Sequence, residues 1–109
     1  MIDVDIGSNE TKLHLTITHM GDDLDITITG GKEHIGCVGI VSSNSYNIVK
    51  MASHCEDEIV LPLVKYLSST TDKNIVIKAG IHLDNISKNQ IKEILENNKE
   101  ILNIIMDYV

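Results

Sequence analysis

Three histidines stand where one element gives way to the next. His34 follows the Gly30-Gly31 turn and opens a strand, His54 precedes a helix, and His82 leaves a strand. Sites in folds that mix sheet and helix gather where strand ends and helix starts converge. Neutral imidazoles brought together there would suit a first-row divalent ion such as Mn2+ or Zn2+. The competing reading is three unrelated surface histidines, because no HxH or HExxH spacing links them. Cys55 could add a thiolate or simply be buried. Glu56, Asp57 and Glu58 suit the positive end of the helix that follows. Those same carboxylates repel a bare phosphate, so a phosphate held near His54 would favour a metal bridge over direct amide binding. The other two histidines, His14 and His19, fall in or at the end of the first long strand.

The run Ala79-Gly80-Ile81-His82-Leu83-Asp84-Asn85-Ile86-Ser87 joins an apolar strand to an amphipathic helix. Gly80 is expected to let the chain turn sharply. Ser87, with Gln90 three residues on, reads as a helix cap with a reciprocal capping box. A connector needs no more than these, so His82 and Asp84 are surplus to folding and invite a functional reading.

Charge and composition exclude several classes. Net charge is −7, the nine basic residues are all lysine, and arginine is absent. That is no footprint for nucleic acid, and it removes the bidentate clamp most used for phosphate. A phosphate would have to be met by lysine, backbone amides or a metal ion. No apolar run reaches the roughly 20 residues that span a bilayer. The first residues lack the basic and apolar parts of a signal peptide, which predicts a cytoplasmic protein. Cys37 and Cys55 show no CxxC spacing and are expected to be reduced thiols. GxSxG, Walker and GxGxxG motifs are absent. His54 and Cys55 are adjacent, which points their side chains apart and speaks against a nucleophile–base pair.

At 109 residues the chain is expected to form one domain over residues 1–109. Leu13, Leu15 and Ile17 alternate with polar residues, as do Leu24, Ile26 and Ile28 after Met20-Gly21-Asp22-Asp23, which predicts a hairpin with one wet face. Ile2, Val4 and Ile6 suggest another short strand. Ile35 to Val41 is apolar nearly throughout, like a central strand covered on both faces, and its Gly36 and Gly39 suggest close approach by a backbone or a ligand. Ser42 to Asn47 reads as a polar loop and Ile48 to Met51 as a short strand. Ile59, Val60, Leu63, Val64 and Leu67 form one helical stripe, interrupted by Pro62, which predicts a kink or a regular helix starting near it. Asn74 to Ala79 is the last strand. A final helix after Ser87 should bury Ile91, Ile94, Leu95, Ile101, Leu102 and Ile105, with a break possible at Asn97-Asn98. The expected fold is α+β: a single, mainly antiparallel sheet of five or six strands with two helices on one face.

Three segments carry a resemblance. Gly30-Gly31-Lys32-Glu33-His34-Ile35-Gly36, then Ser53 to Ile59 with Pro62-Leu63, then Ala79 to Ser87, are similar in order and spacing to the LpdD-like prenylated-flavin chaperones. That family is itself similar to proteasome assembly chaperone 4. The resemblance spans about residues 11 to 105. It implies a non-enzymatic protein that binds prenylated FMN, or FMN, and passes it to a UbiD-type (de)carboxylase in a transient contact, and it implies a homodimer. Carried over by position, Gly30, Gly31, His34, Gly36 and Asp84 would face the cofactor, and His34, His54 and His82 a divalent ion. Ser53 and Cys55 depart from the glycine and basic residue usual on either side of the second histidine. Neither a nucleic acid nor a membrane is implied. Two other readings stay open: a protein-assembly chaperone with no cofactor, and a small metal-dependent hydrolase using Asp84 or Glu56 as base.

Overall fold

Five strands from the first half and a sixth from between the two 3.6-period stretches build one sheet, and those stretches become the helices that cover it. The structure is a computed structural model and describes residues 1–51 and 57–109. The order is β1 (Ile2–Ile6), one 3-10 turn (Asn9–Thr11), β2 (Leu13–Met20), β3 (Asp23–Gly31), β4 (Cys37–Ser42), β5 (Ser45–Lys50), α1 (Asp57–Thr70), β6 (Ile75–His82) and α2 (Lys88–Tyr108). In space the strands run β1-β2-β3-β6-β4-β5.

The α+β class, the six strands and the two helices agree with expectation. The sheet is mixed rather than mainly antiparallel, because β6 inserts between β3 and β4 and pairs with β3 in parallel. Alternation fixes which face a side chain takes, but not which strand lies beside it, so this pairing leaves no mark in the pattern.

Register makes one face continuously apolar. Leu15, Ile28, Ala79 and Cys37 lie in one row across the sheet, and Ile17, Ile26, Ile77 and Gly39 in the next. All are buried. Helix α1 packs on β4, β5 and β6, and α2 on β1 and β2, both on this face. The α1 stripe is buried as expected, with Leu63, Val64 and Leu67 wholly removed from solvent. Each such side chain contributes about 1.5–3 kcal/mol relative to exposure.

The opposite face is bare. It carries the rows His14–Thr29–Gly80 and Thr16–Thr27–Lys78–Val38–Val49, followed by Thr18–Asp25–Val76–Ile40–Asn47. Strand β4 is therefore central but not covered on both faces: Ile40 is 45% exposed. The polar stretch after it is a two-residue hairpin turn at Ser43 and Asn44, both with positive φ, leading into a strand longer than expected.

Three further expectations are corrected in the helices. Pro62 lies within the second turn of α1 rather than at its start. Helix α2 runs unbroken through Asn97 and Asn98, which become its anchors. Asn97 Nδ2 donates to the Thr11 carbonyl at 3.0 Å, and buried Asn98 donates to the Ile59 carbonyl at 3.0 Å. Ile91 is not buried but 42% exposed.

Candidate functional site

The parallel strands β3 and β6 end together, with Gly31 opposite His82. From there residues 32–36 fold back over the open face toward β4. The Lys32 N–H donates to the His82 carbonyl at 3.0 Å, the Gly36 N–H to the Ala79 carbonyl at 2.9 Å, and the Met51 N–H to the Gly36 carbonyl at 2.9 Å. Gly80 makes this crossing possible. A Cβ there would stand 1.6 Å from the His34 carbonyl oxygen, a distance no side chain tolerates. Gly80 thus serves close approach inside β6 and not a turn. The chain turns later, at Asn85, whose φ is 53°. Gly31 is needed for two reasons: its φ is 62°, and a Cβ would lie 2.1 Å from the His82 carbonyl oxygen.

These contacts bring His34 and His82 together, with ring centroids 6.4 Å apart and planes at 82°. His34 Nδ1 lies 3.1 Å from the Lys32 carbonyl oxygen. A carbonyl only accepts, so the neutral ring carries its proton on Nδ1 and presents Nε2 as the acceptor. His82 Nε2 lies 3.1 Å from Asp84 Oδ1, which by the same logic leaves Nδ1 as the acceptor of that ring. Two imidazoles, one of them oriented by a carboxylate, are thus able to bind a polar or cationic group. Ser87 caps α2 nearby: its hydroxyl accepts from the Gln90 N–H at 3.1 Å, and the Gln90 side chain accepts from the Ser87 N–H at 2.9 Å.

His54 lies outside the described residues, as do Ser53, Cys55 and Glu56. Of the three histidines, the described residues hold His34 and His82. Among the described residues no three His, Cys, Asp or Glu side chains are grouped to hold a metal ion. The described donors alone do not make a metal centre.

The expected glycines and His34 open onto two adjoining hollows of the bare face. Gly30 and Gly31 line one of about 280 Å³ with Asp5, Lys12, His14, Thr29 and Glu33. His34 lines another of about 290 Å³ with Thr27, Thr29, Glu33, Ile35 and Lys78. Gly36 is buried, and its N–H and carbonyl are both engaged in the loop. Lys12, Thr27, Thr29 and Lys78 were not anticipated. Alternation placed Thr27 and Thr29 on the polar face, but only the β3–β6 register sets Lys78 beside them. Lys78 Nζ is 3.2 Å from Asp25, and Lys12 Nζ is 3.7 Å from Asp5, so each cation is partly neutralised. On the helix side of the same sheet end lies an apolar hollow of about 280 Å³ walled by Ile59, Ile81, Ile86, Ile91, Ile94 and Leu95, with Glu58 at its edge.

A solved subunit of a chaperone complex for yeast 20S proteasome assembly superposes with a TM-score of 0.60, covering 98% of this chain and 91% of that one. At 11% identity the likeness is one of fold alone. The chain belongs to the family described as the prenylated flavin chaperone LpdD-like domain, whose family model matches residues 7–109. No curated protein sequence matches it. Among the described residues no helix is long and apolar enough to cross a membrane.

Proposed function

We propose that this protein binds prenylated FMN, or FMN, and transfers it to a UbiD-type (de)carboxylase without catalysing a reaction of its own. Membership of the prenylated flavin chaperone family over residues 7–109 carries this reading. The meeting of His34 and His82, two positions of the matching motif, at one end of the sheet supports it. In this reading Gly30, Gly31 and Gly36 shape the loop that presents His34, and His82 is held by Asp84 to face the ligand. The apolar hollow beside Ile81 offers a wall for the ring system on the other side of the strand ends. With net charge −7 and no arginine, the chain needs help to hold a phosphate. A divalent ion such as Mn2+ or Zn2+ on His34, His54 and His82 would supply that positive charge. The exposed apolar strip Val49, Ile40 and Ile35 on the bare face is a surface that a second copy would cover in a homodimer. A cytoplasmic location fits delivery to such an enzyme.

Reconstitution tests the reading. Apo-decarboxylase given free cofactor should gain activity faster or further when this protein is present, and equal activation with and without it would refute the role. Excess EDTA separates the metal from the chaperone: weakened flavin binding supports the bridge, and unchanged affinity with no co-purifying metal removes it. The fold likeness to a proteasome assembly chaperone favours a second reading, a protein-assembly chaperone with no cofactor. A stable protein partner retained without flavin would favour that alternative. No observation favours a hydrolase.

A further inference from the structure

Both ring nitrogens of His14 face carboxylates, at the edge of the hollow that Gly30 and Gly31 line. Nδ1 lies 2.6 Å from Asp5 Oδ1, and Nε2 contacts Asp3 Oδ1. The β1–β2 register explains the arrangement: Asp5 is opposite His14 and Asp3 is opposite Thr16, so the ring stands between two acids on the bare face. An ionised carboxylate only accepts hydrogen bonds, and a neutral imidazole has a single N–H. Both contacts are hydrogen bonds only when the ring carries two protons. The geometry points to a proton-operated latch in which the His14 imidazolium fastens the edge strand β1 to β2, and loss of one ring proton sets lone pair against lone pair and loosens β1.

Beyond its backbone ladder with β2, a hydrogen bond from the Thr16 hydroxyl to Asp3 and light packing by α2, the strand has little else to hold it. Within β1 only Ile6 is buried, while Asp3, Val4 and Asp5 are exposed, and among the described residues no strand lies beside its outer edge. The groups facing His14 are few. Asp3 and Asp5 come from β1, and Lys12, just before β2, pairs with Asp5 at 3.7 Å. From β3 the opposing residue is uncharged Thr29, and Glu33 of the following loop shares the same hollow. The hydrogen bond to Asp5, followed by that to Asp3, holds the His14 pKa above its ordinary value. The hydrogen bond from His14 is likewise the largest cause holding Asp5 below its own.

The sign follows from linkage. A histidine whose folded pKa is raised contributes its stabilisation fully below its unfolded value of about 6.5, and the contribution is lost as pH rises through the raised folded value. The cluster is open to solvent, so the effect is local and weakens in salt.

Amide hydrogen exchange on the full chain tests the latch, with β6 amides as the internal reference that cancels the intrinsic pH dependence of exchange. From about pH 5.5 to about pH 8.5, a span that crosses the ordinary imidazole range, protection of β1 relative to β6 should fall several-fold. In His14→Lys, which keeps a fixed cation, and in His14→Gln, which has no titrating ring, the ratio should stay flat. A flat ratio in the wild-type protein, or an equal fall in both variants, overturns the proposal. Should neither variant fold, the wild-type imidazole resonances decide: a His14 midpoint at or below about 6.5 contradicts the latch, and a higher one upholds it.

Discussion

Ile26 and Thr27 are neighbours in β3, yet they belong to two different molecules in physical terms. Ile26 is wholly buried beneath the helices, in a row with Ile17 and Ile77, while Thr27 faces the bare side beside Thr16 and Lys78. One face is defined by removal from water, so any apolar side chain of the right volume would serve. The other is defined by which polar groups the register sets side by side, and there the identity of each residue decides the chemistry. The helix face holds the fold together, and the bare face with its strand ends carries His14, His34 and His82, the carboxylates of Asp3, Asp5 and Asp25, and the loop that crosses Gly80.

The widest contrast comes from those neighbours. Ile26→Ala should cost about 2–5 kcal/mol of unfolding free energy, as large-to-small core changes do, whereas Thr27→Ala should stay within about 0.5 kcal/mol. Urea denaturation of both variants checks this, and similar costs would collapse the distinction. Gly80→Ala sharpens it from the other side, since this bare-face position is as crowded as any in the core. We expect a loss of about 1–3 kcal/mol from overpacking, together with displaced His34 resonances. A variant of native stability with His34 unmoved would show that Gly80 does not set the loop. Ser87→Ala removes the capping box and should cost about 1 kcal/mol without disturbing either face, measured by thermal melting. A smaller change still is expected from His82→Ala: an exposed side chain is lost, and stability should move by no more than about 0.5 kcal/mol while ligand binding weakens.

The helix face was the legible one. Alternation in Leu13–Ile17 and Leu24–Ile28, the α1 stripe and the Ser87–Gln90 box all depend on near neighbours in sequence, and each agrees with the structure. What escaped depends on long-range partners. The parallel β3–β6 pairing, the exposure of Ile40 and the anchoring roles of Asn97 and Asn98 are fixed by strands and turns distant in sequence. Gly80 was legible as a special residue but not for its reason, because the His34 carbonyl that demands it is 46 positions away by subtraction of the two residue numbers. At the site, the meeting of His34 and His82 was read from their places at element ends. The lysines and threonines of the adjoining hollows were not, since a polar residue on a wet face carries no local sign of what it stands beside.

The central claim is that a prenylated flavin binds at the strand ends where His34 meets His82. Titration of prenylated FMN into the wild-type protein and into His82→Ala, followed by the change in flavin absorbance or fluorescence, tests it most directly. The account predicts saturable binding by the wild-type protein and an affinity about tenfold lower in the variant, corresponding to about 1.4 kcal/mol, with the melting temperature unchanged. No saturable binding to the wild-type protein, or equal affinity in the two, would contradict it.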